Sequence, residues 1–309
     1  MNLIHIGLPK AASTTLQNRL FATHRHFAYV GPIDNGYRNV RTRELIERLA
    51  IQDSLDYDHA DTDALLRSLP EVAAAQNKSI LVSAESLSVE GRADRRLVAE
   101  RLHRLFAPAK VLIVLRAQPS MLQAMYLNHI RGSGQRVGSF EAWLEQMYGG
   151  VRFNDLYRIG LNYEPLLRAY DEVFGPDNVV VLPFELIRDR ESVFYSRISE
   201  LLDLPIGEVQ DCFRKNIDNQ RMSERHLLAL RLQNRMAAGT NLAMLGRRIL
   251  PKPLYRKIRD VVVGGRRVEA PSLPERWRAR VAAACAPGNS EIEARIGIPL
   301  GGLGYPVRA

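Results

Sequence analysis

Four short apolar runs, "LIHIG" (3–7), "SILVS" (79–83), "VLIVL" (111–115) and "VVVLP" (179–183), constrain the fold of this chain more than any other feature. Uninterrupted runs of this length suit strands that are covered on both faces, as in a parallel sheet. Between them lie stretches with helical spacing, among them "TDALLRSLPEVAAAQ" (62–76) and "RRLVAERLHRLF" (95–106). Strand alternating with helix predicts an α/β fold with a doubly wound sheet, whose ligands sit at the carboxyl ends of the strands. No internal repeat or low-complexity segment competes with this reading. At 309 residues and 46% hydrophobic content, the chain can bury a substantial core, as one large domain or two smaller ones.

The net charge of +9 is unevenly spread. Between residues 225 and 280 fourteen Lys/Arg face three Asp/Glu, a surplus of eleven, so the rest is close to neutral. Such a segment implies an anionic partner: nucleotide, acidic glycan, membrane surface or nucleic acid; a solvated basic face is the plainer alternative. From about residue 224 the pattern becomes mainly helical and interrupted by Gly and Pro, so residues 224–309 read as a helical C-terminal extension packed on a core of residues 1–223, within one domain. Cys212 and Cys285 stand far apart without a histidine set, so no disulfide framework and no metal site is expected. No apolar run approaches the roughly 20 residues of a membrane-spanning helix, and "MNLIHIGLPK" lacks a basic n-region and cleavage site; the expected location is cytoplasmic.

The first run leads into "GLPKAASTT" (7–15), where the strand ends at Gly7, Pro9 stiffens the turn, and Ser13, Thr14 and Thr15 fall where a helix should begin. A helix start presents unpaired N–H groups and partial positive charge, Lys10 adds a full charge with three donors, and the hydroxyls add more. Together they describe a cradle for phosphate or sulfate. It is not a Walker A loop, because Lys10 precedes Thr14 by four residues and the chain has no Gly-Lys dipeptide. The glycine-rich "GSGQRVG" (132–138) follows no strand and is discarded. The plainer alternative is a capped helix with Ser13 or Thr14 as N-cap and Lys10 as a solvated loop residue.

"PKAASTTLQ" resembles the 5′-phosphosulfate loop of the sulfotransferase superfamily, whose donor is 3′-phosphoadenosine 5′-phosphosulfate (PAPS). Ala12 stands where that family usually has glycine, which costs some backbone freedom. "VLIVLRAQPSMLQAMY" (111–126) is similar to the family's 3′-phosphate motif: Arg116 matches its arginine, Ala124 occupies its serine position, and Ser120, one turn earlier, is the candidate substitute. "FRKNIDNQRMSER" (213–225) is similar to the loop that closes over adenosine 3′,5′-bisphosphate, with Arg214, Lys215 and Arg221 as open alternatives for phosphate contacts. "GNSEIEARIGIPLGGLGYP" (288–306) looks like the closing segment of bacterial carbohydrate-type sulfotransferases. The resemblance implies a three-layer fold of the P-loop-NTPase kind, with PAPS as donor and adenosine 3′,5′-bisphosphate as product. Its donor-site residues would be Pro9, Lys10, Ala11, Ala12, Ser13, Thr14, Thr15, Arg116 and Ser120, joined by residues of the closing loop. The implied acceptor is a hydroxyl or amine of a glycan or glycolipid.

Sulfuryl transfer needs in-line positioning and relief of spreading negative charge, for which one lysine, hydroxyls and N–H groups suffice without magnesium. Lys10 is expected to neutralise the bridging and sulfuryl oxygens, with Thr14 and Thr15 on the 5′-phosphate. The acceptor must lose a proton, and Glu85, at the end of the "SILVSAESLS" strand, is the candidate base, with helix capping as its other role. His5 reads as a buried, hydrogen-bonded strand residue, His24 and His26 as incidental loop residues, Glu185 as structural, and Tyr126, Tyr157 and Tyr163 as core aromatics. Two other functions stay open: a kinase with an unusual phosphate loop, and a basic module for nucleic acid or anionic membrane carried by residues 225–280. The mixed apolar and basic "NLAMLGRRILPKPLYRKIRDVVVGGRR" would allow peripheral contact with a membrane, which is favoured over nucleic acid.

Overall fold

The computed structural model describes residues 1–34, 36–75, 78–88, 94–132, 138–149, 161–214, 223–225, 227–228, 261, 264, 266 and 269–308. The four apolar runs form strands β1 (Asn2–Gly7), β5 (Ser79–Ala84), β6 (Ala109–Leu115) and β7 (Val179–Pro183), joined by β2 (Phe27–Val30). They make one sheet in the order β2-β5-β1-β6-β7 with every neighbouring pair parallel. A two-residue pair, β3 (Pro32–Ile33) and β4 (Gly36–Tyr37), forms a separate antiparallel hairpin after β2.

β1 lies at the centre because both its faces are covered: Ile4 and Ile6 are wholly buried on one and Leu3 and His5 are buried on the other, as are Val111 to Leu115 on its neighbour β6. Each of these aliphatic side chains contributes about 1.5–3 kcal/mol by leaving water. The helices follow from their apolar stripes. In α2 (Val40–Ala50) Thr42, Leu45, Ile46, Leu49 and Ala50 are buried, and in α8 (Tyr163–Phe174) Tyr163, Leu166, Leu167, Tyr170 and Phe174 are buried, spacings of three and four residues. α2, α5 (Arg95–Phe106) and α8 pack in succession on one face of the sheet. The helix after β1 touches α11 (Ile206–Arg214), which packs on α10 (Glu191–Leu202), and these take the other face, as right-handed crossovers to opposite sides of β1 require. The result is the expected three-layer α/β arrangement.

The segment expected to be one helix over 62–76 divides into α3 (His59–Arg67) and α4 (Pro70–Ala73). Pro70 has no N–H to continue the ladder, and it forces Leu69 into an extended conformation (φ −65, ψ 131). The other elements are α6 (Gln118–Gly132), α7 (Phe140–Tyr148), α9 (Leu186–Asp189) and a C-terminal α12 (Glu275–Ile296). Two compact units are separable: residues 1–118, 152–218 and 279–309 contain the sheet, and residues 119–151 and 219–278 form the second. In the second unit Trp143 of α7 lies edge-on to Tyr148, Tyr148 edge-on to Trp277, and Arg276 pairs with Glu141 and Glu145. Among the described residues no helix is long and apolar enough to cross a membrane.

Candidate anion-binding active site

The loop after β1 is built around two left-handed residues, Lys10 (φ 62) and Ala12 (φ 63, ψ 12). Neither is glycine, so the conformation is held by its surroundings at a cost of about 1–2 kcal/mol for each residue. The Ala11 N–H donates to the Leu8 carbonyl at 3.3 Å, closing the turn. A helix then begins at α1 (Ser13–Thr15) and continues from Leu16 to Phe21 with the wider hydrogen bonding of a π-helix, a form that recurs at functional sites. Helices α2, α3, α5 and α7 start with an Asn, Asp or Ser side chain that accepts a hydrogen bond from a first-turn N–H. α1 has no such cap: its N-cap is Ala12, and the Ser13 hydroxyl turns inward to donate to the Leu8 carbonyl at 3.1 Å. The positive end of this helix is therefore not met by the side chain of its own N-cap residue, as is also true of α4, α8, α9 and α10. Thr14, Thr15 and Lys10 are half-buried around it.

Both neighbours of β1 bring candidate residues to this loop. Ile6 pairs with Ala84, so Glu85 begins where β1 ends; it opens the short 3₁₀ turn Glu85–Leu87 and is half-buried. The Ser88 hydroxyl bolts that turn to the loop, donating to the Gly7 carbonyl at 2.7 Å and to the Glu85 carbonyl at 2.8 Å. On the other side Gly7 pairs with Val114, and Arg116 leaves β6 two residues further on. Its Nη1 donates to the Lys10 carbonyl, and its guanidinium lies 4.8 Å from the centre of the Phe184 ring.

Beneath the loop a polar cluster joins the same strands. Ser83 Oγ lies 2.8 Å from His5 Nδ1 and accepts from Gln17 Nε2 at 3.0 Å, so β5, β1 and the π-helix share one hydroxyl. His5 is wholly buried, as read from the sequence, and burial pulls its pKa down to about 3, so the ring is neutral. His24, also buried, accepts the His26 N–H at 3.1 Å on Nδ1, and burial, followed by the charge of His26, lowers its pKa.

A second buried group stands behind Arg116. Glu185, 6% exposed, accepts the Ala117 N–H at 3.0 Å on Oε1 and the Tyr305 hydroxyl at 2.9 Å on Oε2. Burial raises its pKa, against the pull of these two donors and of the Arg116 charge. Gln118 and Asn289 exchange amide hydrogen bonds of 2.9 and 3.1 Å, and Asn289 also donates to the Pro306 carbonyl at 2.7 Å. The C-terminal stretch singled out by its sequence thus supplies Asn289 and Tyr305 to the corner that follows β6. Glu185 reads as structural from the sequence, but its joining of the Ala117 N–H to the Tyr305 hydroxyl emerges only from the fold, because these partners lie far from it in the sequence.

The remaining candidates lie on other elements. Ser120 and Ala124 lie one turn apart on α6, in the second unit, both half-buried. Arg214 is the exposed last residue of α11. Lys215, Arg221, Tyr157, residues 133–137 of the glycine-rich stretch and most of the basic segment 225–280 lie outside the described residues.

No family model and no curated protein matches the chain. Among solved structures it is similar to a sulfotransferase from Alicyclobacillus acidocaldarius, 18% identical with a TM-score of 0.44, the match covering 82% of this chain and 98% of that one. It is also similar to mouse sulfotransferase SULT7A1 complexed with PAP, at 11% identity and a TM-score of 0.44 over 84% and 81% of the two chains. A third similar structure is the sulfotransferase domain from the curacin biosynthetic pathway, 12% identical with a TM-score of 0.45 over 99% of this chain and 98% of that domain.

Proposed function

We propose that this protein is a PAPS-dependent sulfotransferase acting on a hydroxyl or amine of a glycan or glycolipid. One observation carries the reading: an uncapped, left-handed helix start beside Lys10, at the carboxyl edge of a parallel sheet, flanked by the strands that deliver Glu85 and Arg116. The first-turn N–H groups, Thr14 and Thr15 would hold the 5′-phosphate, and Arg116 the 3′-phosphate. Lys10 would offset the charge that builds on the bridging oxygen. In the transfer step the acceptor oxygen bonds to sulfur while the bond from sulfur to the bridging phosphate oxygen breaks. The electron pair leaves on adenosine 3′,5′-bisphosphate, and the acceptor proton passes to Glu85.

The likeness of residues 288–306 to carbohydrate-type sulfotransferases supports a glycan or glycolipid acceptor. The basic surplus of residues 225–280 supports peripheral contact with an anionic membrane from the cytoplasmic side, which flotation with anionic liposomes tests. The donor is decided by calorimetric titration. Adenosine 3′,5′-bisphosphate should bind and ATP should bind more weakly, whereas tight, magnesium-dependent ATP binding would favour a kinase and sink the proposal.

A further inference from the structure

The peptide unit joining Arg116 to Ala117 is pinned from both sides by buried side chains. Its carbonyl accepts from the Tyr163 hydroxyl, and its N–H donates to Glu185, which Tyr305 holds in turn. With the guanidinium against Phe184, neither the backbone nor the head of Arg116 has much freedom. From this fixed support Nη1 donates to the carbonyl of Lys10, a residue whose φ of 62° an L-amino acid keeps only where its surroundings hold it. We infer that Arg116 is a positioning residue for Lys10. Besides any contact of its own with the donor, it fixes the Lys10 peptide and with it the place from which the ammonium group reaches the leaving phosphate. The kinetic form of this inference rests on the sulfuryl-transfer reading; the latch itself belongs to the free protein.

Arg116→Lys keeps a positive charge but loses the planar fork that spans a carbonyl and a second acceptor. In the free protein, hydrogen exchange of the amides of residues 10–15 should quicken by about ten-fold or more, the loss expected for a hydrogen bond to a charged group. Exchange equal to the wild type would overturn the latch. In kinetics the discriminating probe is adenosine 5′-phosphosulfate, a donor without a 3′-phosphate. A residue that only bound the 3′-phosphate would be silent with it, whereas positioning predicts a kcat about ten-fold lower with both donors. Unchanged kcat with adenosine 5′-phosphosulfate refutes the inference. Tyr305→Phe, which frees one Glu185 oxygen, should show the same pattern more weakly, and it carries the test if Arg116→Lys fails to fold. Should the wild type bind no adenosine 3′,5′-bisphosphate, the donor assignment fails instead, and the exchange measurement alone decides the latch.

Discussion

Gly7→Ala is the sharpest test of how the anion loop is packed. A Cβ at this position would lie 2.6 Å from Ser13 Oγ, 3.1 Å from Ser13 Cβ and 3.2 Å from His5 Cε1. The nearest of these is closer than real Cβ contacts come, so Ser13 must turn away. Ser13 is only 2% exposed, and its Oγ is bound to the Leu8 carbonyl. Overpacking costs about 1–3 kcal/mol and the lost Ser13 hydrogen bond about 0.5–1.5 kcal/mol, since the Leu8 carbonyl keeps the Ala11 N–H; the two costs overlap because one rotation causes both. Against them stands about 0.4–1 kcal/mol from the stiffer unfolded chain. The net expectation is a loss of about 2 kcal/mol, roughly thirty-fold in the unfolding equilibrium. Urea unfolding should be followed by far-ultraviolet circular dichroism, because both tryptophans, Trp143 and Trp277, lie in the unit without the sheet. Adding Ser13→Ala removes the nearest atom, so the double variant should recover about 1 kcal/mol relative to the sum of the singles. A Gly7→Ala protein within about 0.5 kcal/mol of the wild type would refute this account of the loop.

Ala12→Gly should stabilise the protein by about 0.5 kcal/mol, since relief of the left-handed strain slightly exceeds the added backbone entropy; a lower urea midpoint would contradict it. His5 gives an acid sensitivity whose sign is fixed: its folded pKa, about 3, lies below the ordinary 6.5, so the unfolded chain takes up the proton first. Stability should therefore fall as pH drops through that window, by about 1.4 kcal/mol per pH unit, and His5→Gln should remove this slope; parallel curves between pH 6.5 and 5 for the two proteins would show the reasoning wrong. On the proposed sulfuryl-transfer reading, Lys10→Ala should slow transfer by about two to three orders of magnitude. Glu85→Gln should slow it by a similar factor while calorimetry finds adenosine 3′,5′-bisphosphate bound as in the wild type; unchanged turnover would remove Glu85 from the mechanism.

Much of the sheet was legible because its strands are buried on both faces and say so by composition: the runs at 3–7, 79–83, 111–115 and 179–183 all became parallel strands. β2, "FAYV", is a four-residue edge strand without such a run, and nothing local distinguishes it from a loop. The break before Pro70 could have been read from the proline, had the apolar spacing not outweighed it. At the site, Lys10 followed from its place at a strand end, Glu85 from its strand end together with the family resemblance, and Arg116 from the resemblance alone; that their strands are neighbours is seen only in the sheet order. The inward turn of Ser13 and the missing cap of α1 did not follow from the sequence, because a serine at a helix start looks the same whether it caps or packs. The role of Glu185 was hidden for a different reason: its partners, Ala117 and Tyr305, lie 68 and 120 residues away.

That separation bears on how the protein is made. Arg116 is oriented by a corner whose supports include Tyr305, and Gln118 is locked by Asn289 across 171 residues. Until Asn289 and Tyr305 have been synthesised a nascent chain can pair β1 with β5 and β6, but it cannot finish this corner. The corner that orients Arg116 is thus completed only after residues 289 and 305 have been made, later than the strands it adjoins.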